Sequence, residues 1–123
     1  METTISFKLI IGVNEGYANN GNEIDLTTVN ELWLEKAAAV AESTDIYISA
    51  ISSLGRALYA HDWGCPEGGE PVVIFTGVLN DKFCKNAEAW KQAVREVALG
   101  LKEDLKQTTA TLEFSSVDME YLT

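Results

Sequence analysis

The sequence predicts an α+β domain in which two helices cover one face of a mostly antiparallel sheet, in the order β-α-β-β-β-α-β. Three observations predict it: five short segments rich in β-branched and aromatic residues, two segments with apolar residues at helical spacing, and short connections between them. At 123 residues, 46% hydrophobic and 23% charged, the chain reads as one ligand-binding domain, 1–123, able to bury a core.

ISFKLIIGV (5–13) alternates: Ile5, Phe7, Leu9, Ile11 and Val13 share one face, and Ser6, Lys8 and Gly12 the other. It is the first strand. NEGYANNGNE (14–23) is a loop by its asparagines and glycines. DLTTVNELWLEKAAAVAEST (25–44) is a helix whose stripe is Leu26, Val29, Trp33, Ala37 and Val40. Asp25 can cap it, or Thr28 with Glu31 as a capping box. DIYISAI (45–51) and RALYA (56–60) are the second and third strands, joined by SSLG. PVVIFTGVL (71–79) is the fourth, with Val72, Ile74 and Val78 on one face and Val73, Phe75 and Leu79 on the other. Asn86 caps a long helix, about 87–107, striped by Trp90, Val94, Val97, Leu101 and Leu105. TATLEFSSV (109–117) closes the chain as the fifth strand. Two helices leave one sheet face open. With Tyr47 and Ile51 adding to it, an uncovered apolar face of this kind predicts a homo-oligomer, at least a dimer, joined through sheet or edge surfaces.

The net charge of −10 repels phosphate and so argues against duplex nucleic acid and anionic membrane as partners. Six of the nine basic residues nevertheless lie within 82–106, which is where an anionic ligand belongs. Glu2 and Lys8 break any leader-like N-terminus, and no apolar run is long enough to span a bilayer. Two cysteines without an export signal read as reduced thiols in a cytoplasm.

HDWGCPEGGE (61–70) gathers residues that catalysis uses. His61 and Cys65 could form a nucleophile–base pair, but nothing in the sequence specifies an orienting group or an oxyanion hole. His61, Cys65 and Cys84 lack metal-ligand spacing, and no cofactor-binding motif is present. The stretch reads as a turn, with Pro66, Gly64, Gly68 and Gly69 shaping the backbone and Trp63 clamping it to the core. A second constellation suits a nucleotide. Arg56 starts a strand, Asn80 and Phe83 precede the long helix, and Lys91, Gln92 and Arg95 lie beside its stripe. An exposed ring can stack on a base while cations hold phosphates. The bland alternative is that Lys91 and Arg95 pair with Glu88 and Glu96 on a solvated helix face.

The element order, the length, WGCPEGGE leading into a very apolar strand and the N-D-K-F turn after it are similar to a family of small phage proteins, the first described type of Thoeris anti-defence protein. The resemblance spans essentially the whole chain. It implies a sponge in the host bacterial cytoplasm that sequesters glyco-cyclic ADP-ribose without cleaving it. It also implies assembly up to hexamers and binding of cyclic di- or trinucleotides from a second immune system. Under that resemblance Phe83 stacks on adenine and Arg56 supplies an arginine. Where the family has a further arginine after the second helix, this chain has Thr108, Thr109 and Thr111. The expectation is therefore a non-enzymatic immune antagonist. The competing expectations are a small nucleotide-acting enzyme using His61 and Cys65, and a non-catalytic phage assembly protein.

Overall fold

The alternation at the N-terminus becomes strand β1 (Glu2–Gly12) in the computed structural model, which describes residues 2–14 and 25–123. Phe7, Leu9, Ile11 and Val13 are all buried. The loop expected at 14–23 lies outside the described residues except for Asn14. Helix α1 (Leu26–Thr44) is capped by Asp25, whose carboxylate accepts the Thr28 N–H at 2.8 Å. That bond, and a second one from the Thr28 side chain, hold the Asp25 carboxyl below its ordinary value. Helix α2 (Ala87–Asp104) is capped by Asn86, which accepts from the Ala89 N–H at 3.1 Å.

Strand β2 (Ile51–Ala57), strand β3 (Glu70–Val78) and strand β4 (Thr111–Met119) complete one antiparallel sheet in the order β2-β3-β1-β4. The α+β architecture expected from the sequence is present. Within it, the two strands read at 45–51 and 56–60 are replaced by one, which runs through the supposed SSLG connection. Ser52, Ser53, Leu54 and Gly55 pair with Phe75, Ile74, Val73 and Val72. Gly55 is not a turn glycine: it has no positive φ, and a Cβ there would approach Ile74 Cδ1 to 3.1 Å. Close packing against β3 is its role.

Both helices lie on the sheet face that carries Phe7, Leu9, Val73 and Phe75. Trp33 stacks on Phe75 at 4.5 Å and on Phe7 at 5.8 Å, and Trp90 meets Phe7 at 5.8 Å, so both helix tryptophans are core, as their stripes predict. Gly77 is forced by this packing. A Cβ there would collide with the Ser49 carbonyl oxygen and come within 2.5 Å of Phe7 Cε1. Overpacking of this kind costs about 1–3 kcal/mol. Gly77→Ala should therefore lower the unfolding free energy measured in urea by that amount, and an unchanged value would mean that the contact yields freely.

The other sheet face is mixed rather than continuously apolar. Ile51 and Val78 are exposed there, but Ser6, Thr76 and Ser115 interrupt them, and Lys8 pairs with Glu113 at 3.6 Å. In the segment 61–70 a one-turn 3-10 helix (His61–Trp63) is followed by left-handed Gly64, Gly68 and Gly69, so the turn chemistry read there is present. Trp63 does not clamp it, being 76% exposed. Its place at the end of so short a helix, just before Gly64 turns the chain, leaves the ring outside the core.

Candidate active site

At one end of the sheet β1 and β2 finish, β3 begins, and the α2–β4 connection crosses over. These pieces enclose a cleft of about 200 Å3 lined by Gly12, Ala57, Glu70, Val72, Gln107 and the hydroxyl-bearing Thr108, Thr109 and Thr111. Local sequence explains each wall. Gly69, at φ 92°, delivers the chain into β3, and a Cβ there would press on Leu58 and Arg56. Glu70 is thereby set opposite Ala57 in the ladder. Helix α2 closes with the Gln107 N–H on the Lys102 carbonyl (3.0 Å) and the Lys106 N–H on the Glu103 carbonyl (3.1 Å). This is the two-bond Schellman ending, with Lys106 rather than glycine in the left-handed position at φ 54°. It turns Gln107 toward the end of β1, where its Nε2 donates to the Asn14 carbonyl at 2.6 Å.

Gly12 is where the two sides of the cleft meet. A Cβ added there would strike Gln107 Oε1 and lie 3.4 Å from Glu70 Oε2. The Tyr59 hydroxyl donates to Glu70 Oε1 at 3.4 Å. Among the described acidic residues only Glu70 and Asp81 are not exposed, and Glu70 is the one in this cleft. The arrangement offers a sheltered carboxylate, a phenol that orients it, and a rim of hydroxyls beside apolar Val72 and Ala57. It suits a small ligand with a cationic end.

The structure scatters the residues singled out in the sequence. Arg56, on edge strand β2 opposite Pro71, lies at the Glu70 end. Asn80 and Phe83 follow the far end of β3, beside a separate hollow of about 380 Å3 floored by Trp90. Pro71 to Val78 alone spans about 23 Å at roughly 3.3 Å per residue, so Arg56 and Phe83 do not share a site within one chain. Phe83 is 84% exposed. The Asn80 side chain accepts from the Lys82 N–H (3.0 Å), and its carbonyl accepts from the Phe83 N–H (3.0 Å), so Asn80 builds the turn. Lys91, Gln92 and Arg95 are together on α2: Lys91 pairs with Glu88 at 3.2 Å, Arg95 donates to Gln92 at 2.9 Å, and both cations lie 5.8 Å from the Phe114 ring. The Cys65 thiol faces the carbonyls of Pro66 (3.5 Å) and Ala57 (4.0 Å) rather than His61. Among the described residues no three His, Cys, Asp or Glu side chains gather as a metal site would need, and no helix is long and apolar enough to cross a membrane. Glu70, Tyr59 and Gln107 went unselected in the sequence, although Glu70 closes the very stretch read as a turn.

A family model described as SAM lyase matches residues 2–123. Two solved structures are similar in fold. A phage SAM lyase in complex with S-methyl-5'-thioadenosine has a TM-score of 0.61 at 16% identity, covering 98% of this chain and 93% of that one. A phage SAM lyase in the apo state has a TM-score of 0.62 at 16% identity, covering 98% and 94%. No curated protein sequence matches the chain. These findings overturn the sponge reading: the family is one of enzymes, and glyco-cyclic ADP-ribose and cyclic oligonucleotides are withdrawn as partners. A small nucleotide-acting enzyme was the nearer expectation, though nothing in the geometry favours the His61–Cys65 pair proposed for it. From residue 2 to residue 123, the chain belongs to the SAM lyase family.

Proposed function

We propose that this protein cleaves S-adenosylmethionine at the Glu70 cleft and releases 5'-methylthioadenosine. The family match over residues 2–123 is the observation that carries the reading. The methylthioadenosine held by one similar structure supports it, and so does the chemistry of the cleft. The substrate is a sulfonium that also bears an α-ammonium and a carboxylate. A net charge of −10 draws a cation toward the protein, and the half-buried Glu70 can hold the ammonium by charge-assisted hydrogen bonds.

A lyase breaks the bond between sulfur and the γ-carbon without water. The electron pair leaves with sulfur and gives a neutral thioether. The substrate's own carboxylate oxygen closes on the γ-carbon, forming a five-membered lactone with no net gain or loss of a proton. A base-driven elimination would instead have to remove an unactivated β-hydrogen. Lactone closure needs the right geometry and a dry pocket, because two opposite charges disappear in the transition state and water favours keeping them. Glu70 bound to the ammonium, with Tyr59 orienting it, fixes the chain so that carboxylate and γ-carbon meet. Val72, Ala57 and Ile10 exclude water around them.

Both similar structures are phage proteins, and we place this chain with phage proteins acting inside a bacterial host, where losing SAM deprives methyltransferases of their donor. Purified protein given methyl-labelled SAM should move the label into 5'-methylthioadenosine. Label that stays in SAM, or is handed to an acceptor with S-adenosylhomocysteine left behind, sinks the reading.

A further inference from the structure

The Gln107 carboxamide is pinned at its nitrogen end. Its Nε2 donates to the Asn14 carbonyl at 2.6 Å and to the Leu105 carbonyl at 3.0 Å, which uses both of its hydrogens. Turning the amide over would set its oxygen against those two carbonyl oxygens, so the backbone dictates which way it faces. That leaves Oε1, which accepts no hydrogen bond among the described residues. It lies over Gly12, where an added Cβ would strike it and would sit 3.4 Å from Glu70 Oε2. The two oxygens therefore border one space, the space that a side chain at position 12 would fill. Gly12 has no positive φ, so its missing Cβ, and not its backbone freedom, is what the cleft uses. The other carboxylate oxygen, Glu70 Oε1, is the one that Tyr59 engages.

Resting on the lyase reading, we propose that Gln107 is a second acceptor for the substrate's α-ammonium, and that it makes the site selective for a free primary amine. Two acceptors around one space suit a group that donates more than once, and an ammonium has three N–H groups to give. The adenine amino group and the ribose hydroxyls also donate, but they are neutral, and a half-buried carboxylate is matched best by a cation. The residue type at 107 fits this role. A glutamate there would set a second negative charge beside Glu70, and one of two such carboxylates takes up a proton. A carboxamide adds an acceptor and leaves one carboxylate matched to one ammonium. Held at two points, the ammonium no longer swings about its Glu70 contact. The α-carbon is then fixed, and with it the path of the carboxylate to the γ-carbon.

The test measures kcat/KM for wild type and Gln107→Met on S-adenosylmethionine and on its analogue with hydrogen in place of the α-ammonium, with a melting curve for each protein. Gln107→Met also gives up the two carbonyl bonds, so a loss on one substrate does not separate binding from structure. The difference between the two substrates does. Gln107→Met is expected to lose about tenfold more on S-adenosylmethionine than on the analogue, because the contact it breaks exists only with the former. Should Gln107→Met fail to fold, Gln107→Lys is read instead. Its ammonium can donate to the same two carbonyls while the acceptor is gone, so an excess loss of at least the same size is expected. Equal losses on both substrates in a folded variant overturn the inference and leave Gln107 a purely structural residue, while the lyase reading stands as long as wild type cleaves S-adenosylmethionine. A wild type that cleaves neither substrate removes the lyase reading and the inference with it.

Discussion

Glu70→Gln is expected to lower kcat/KM for S-adenosylmethionine about 100-fold while leaving the fold intact. A hydrogen bond to a charged partner contributes about 1.5–3 kcal/mol, and each 1.4 kcal/mol is roughly a factor of ten, so losing the ammonium contact accounts for roughly 10–100-fold. Misplacement of the reacting carboxylate carries the effect to the upper end, since orientation is most of what a lactone-forming site supplies. The isosteric amide keeps the cleft's shape and can still accept from Tyr59, so melting should be unchanged. Tyr59→Phe removes only the orienting hydroxyl and should cost less. Steady-state kinetics with a melting curve for each variant check this. Full activity in folded Glu70→Gln would take the carboxylate out of the mechanism.

The second large effect is on stability. Trp33 stacks on Phe75 (4.5 Å, 16° between planes) and on Phe7 (5.8 Å, 12°), which join β3 and β1 to α1. Large-to-alanine changes at such sites cost about 3–5 kcal/mol, the lost transfer free energy plus an unfilled cavity. Small domains hold about 5–15 kcal/mol in total. Trp33→Ala should therefore remove a fifth or more of the stability in urea unfolding, and Trp33→Phe should restore much of it by keeping a ring in the stack. A loss below about 1 kcal/mol would show that the core closes over the gap.

Local signals made much of the fold legible. The period-2 pattern of β1 and β3, the stripes of both helices and the caps Asp25 and Asn86 all depend on residues close in sequence, and they appear where the sequence puts them. Gly55 misled because a glycine closing Ser-Ser-Leu-Gly suggests a short connection, whereas here its missing Cβ admits Ile74. Arg56 and Phe83 were joined by ligand chemistry and by the family resemblance, not by any local structural signal. Hairpin order already separates them, since Arg56 precedes the 58–69 connection and pairs at the start of β3, while Phe83 follows its end. Glu70 was invisible among 19 acidic residues because what marks it, partial burial and the Tyr59 bond, is set by tertiary structure. The lack of a nucleophile–base set also weighed toward sequestration. A cleavage in which the substrate's carboxylate is the nucleophile needs no such set, so that lack did not separate a sponge from an enzyme.

The central claim is tested most directly by letting the protein consume S-adenosylmethionine in oxygen-18 water and following both products by mass spectrometry from the earliest times. The account predicts one 5'-methylthioadenosine for each substrate lost, with a four-carbon fragment that appears first as the anhydro lactone and carries no heavy oxygen on the γ-carbon, even after the ring later opens. Homoserine with oxygen-18 in its hydroxyl from the first time points, or substrate loss without 5'-methylthioadenosine, would contradict it.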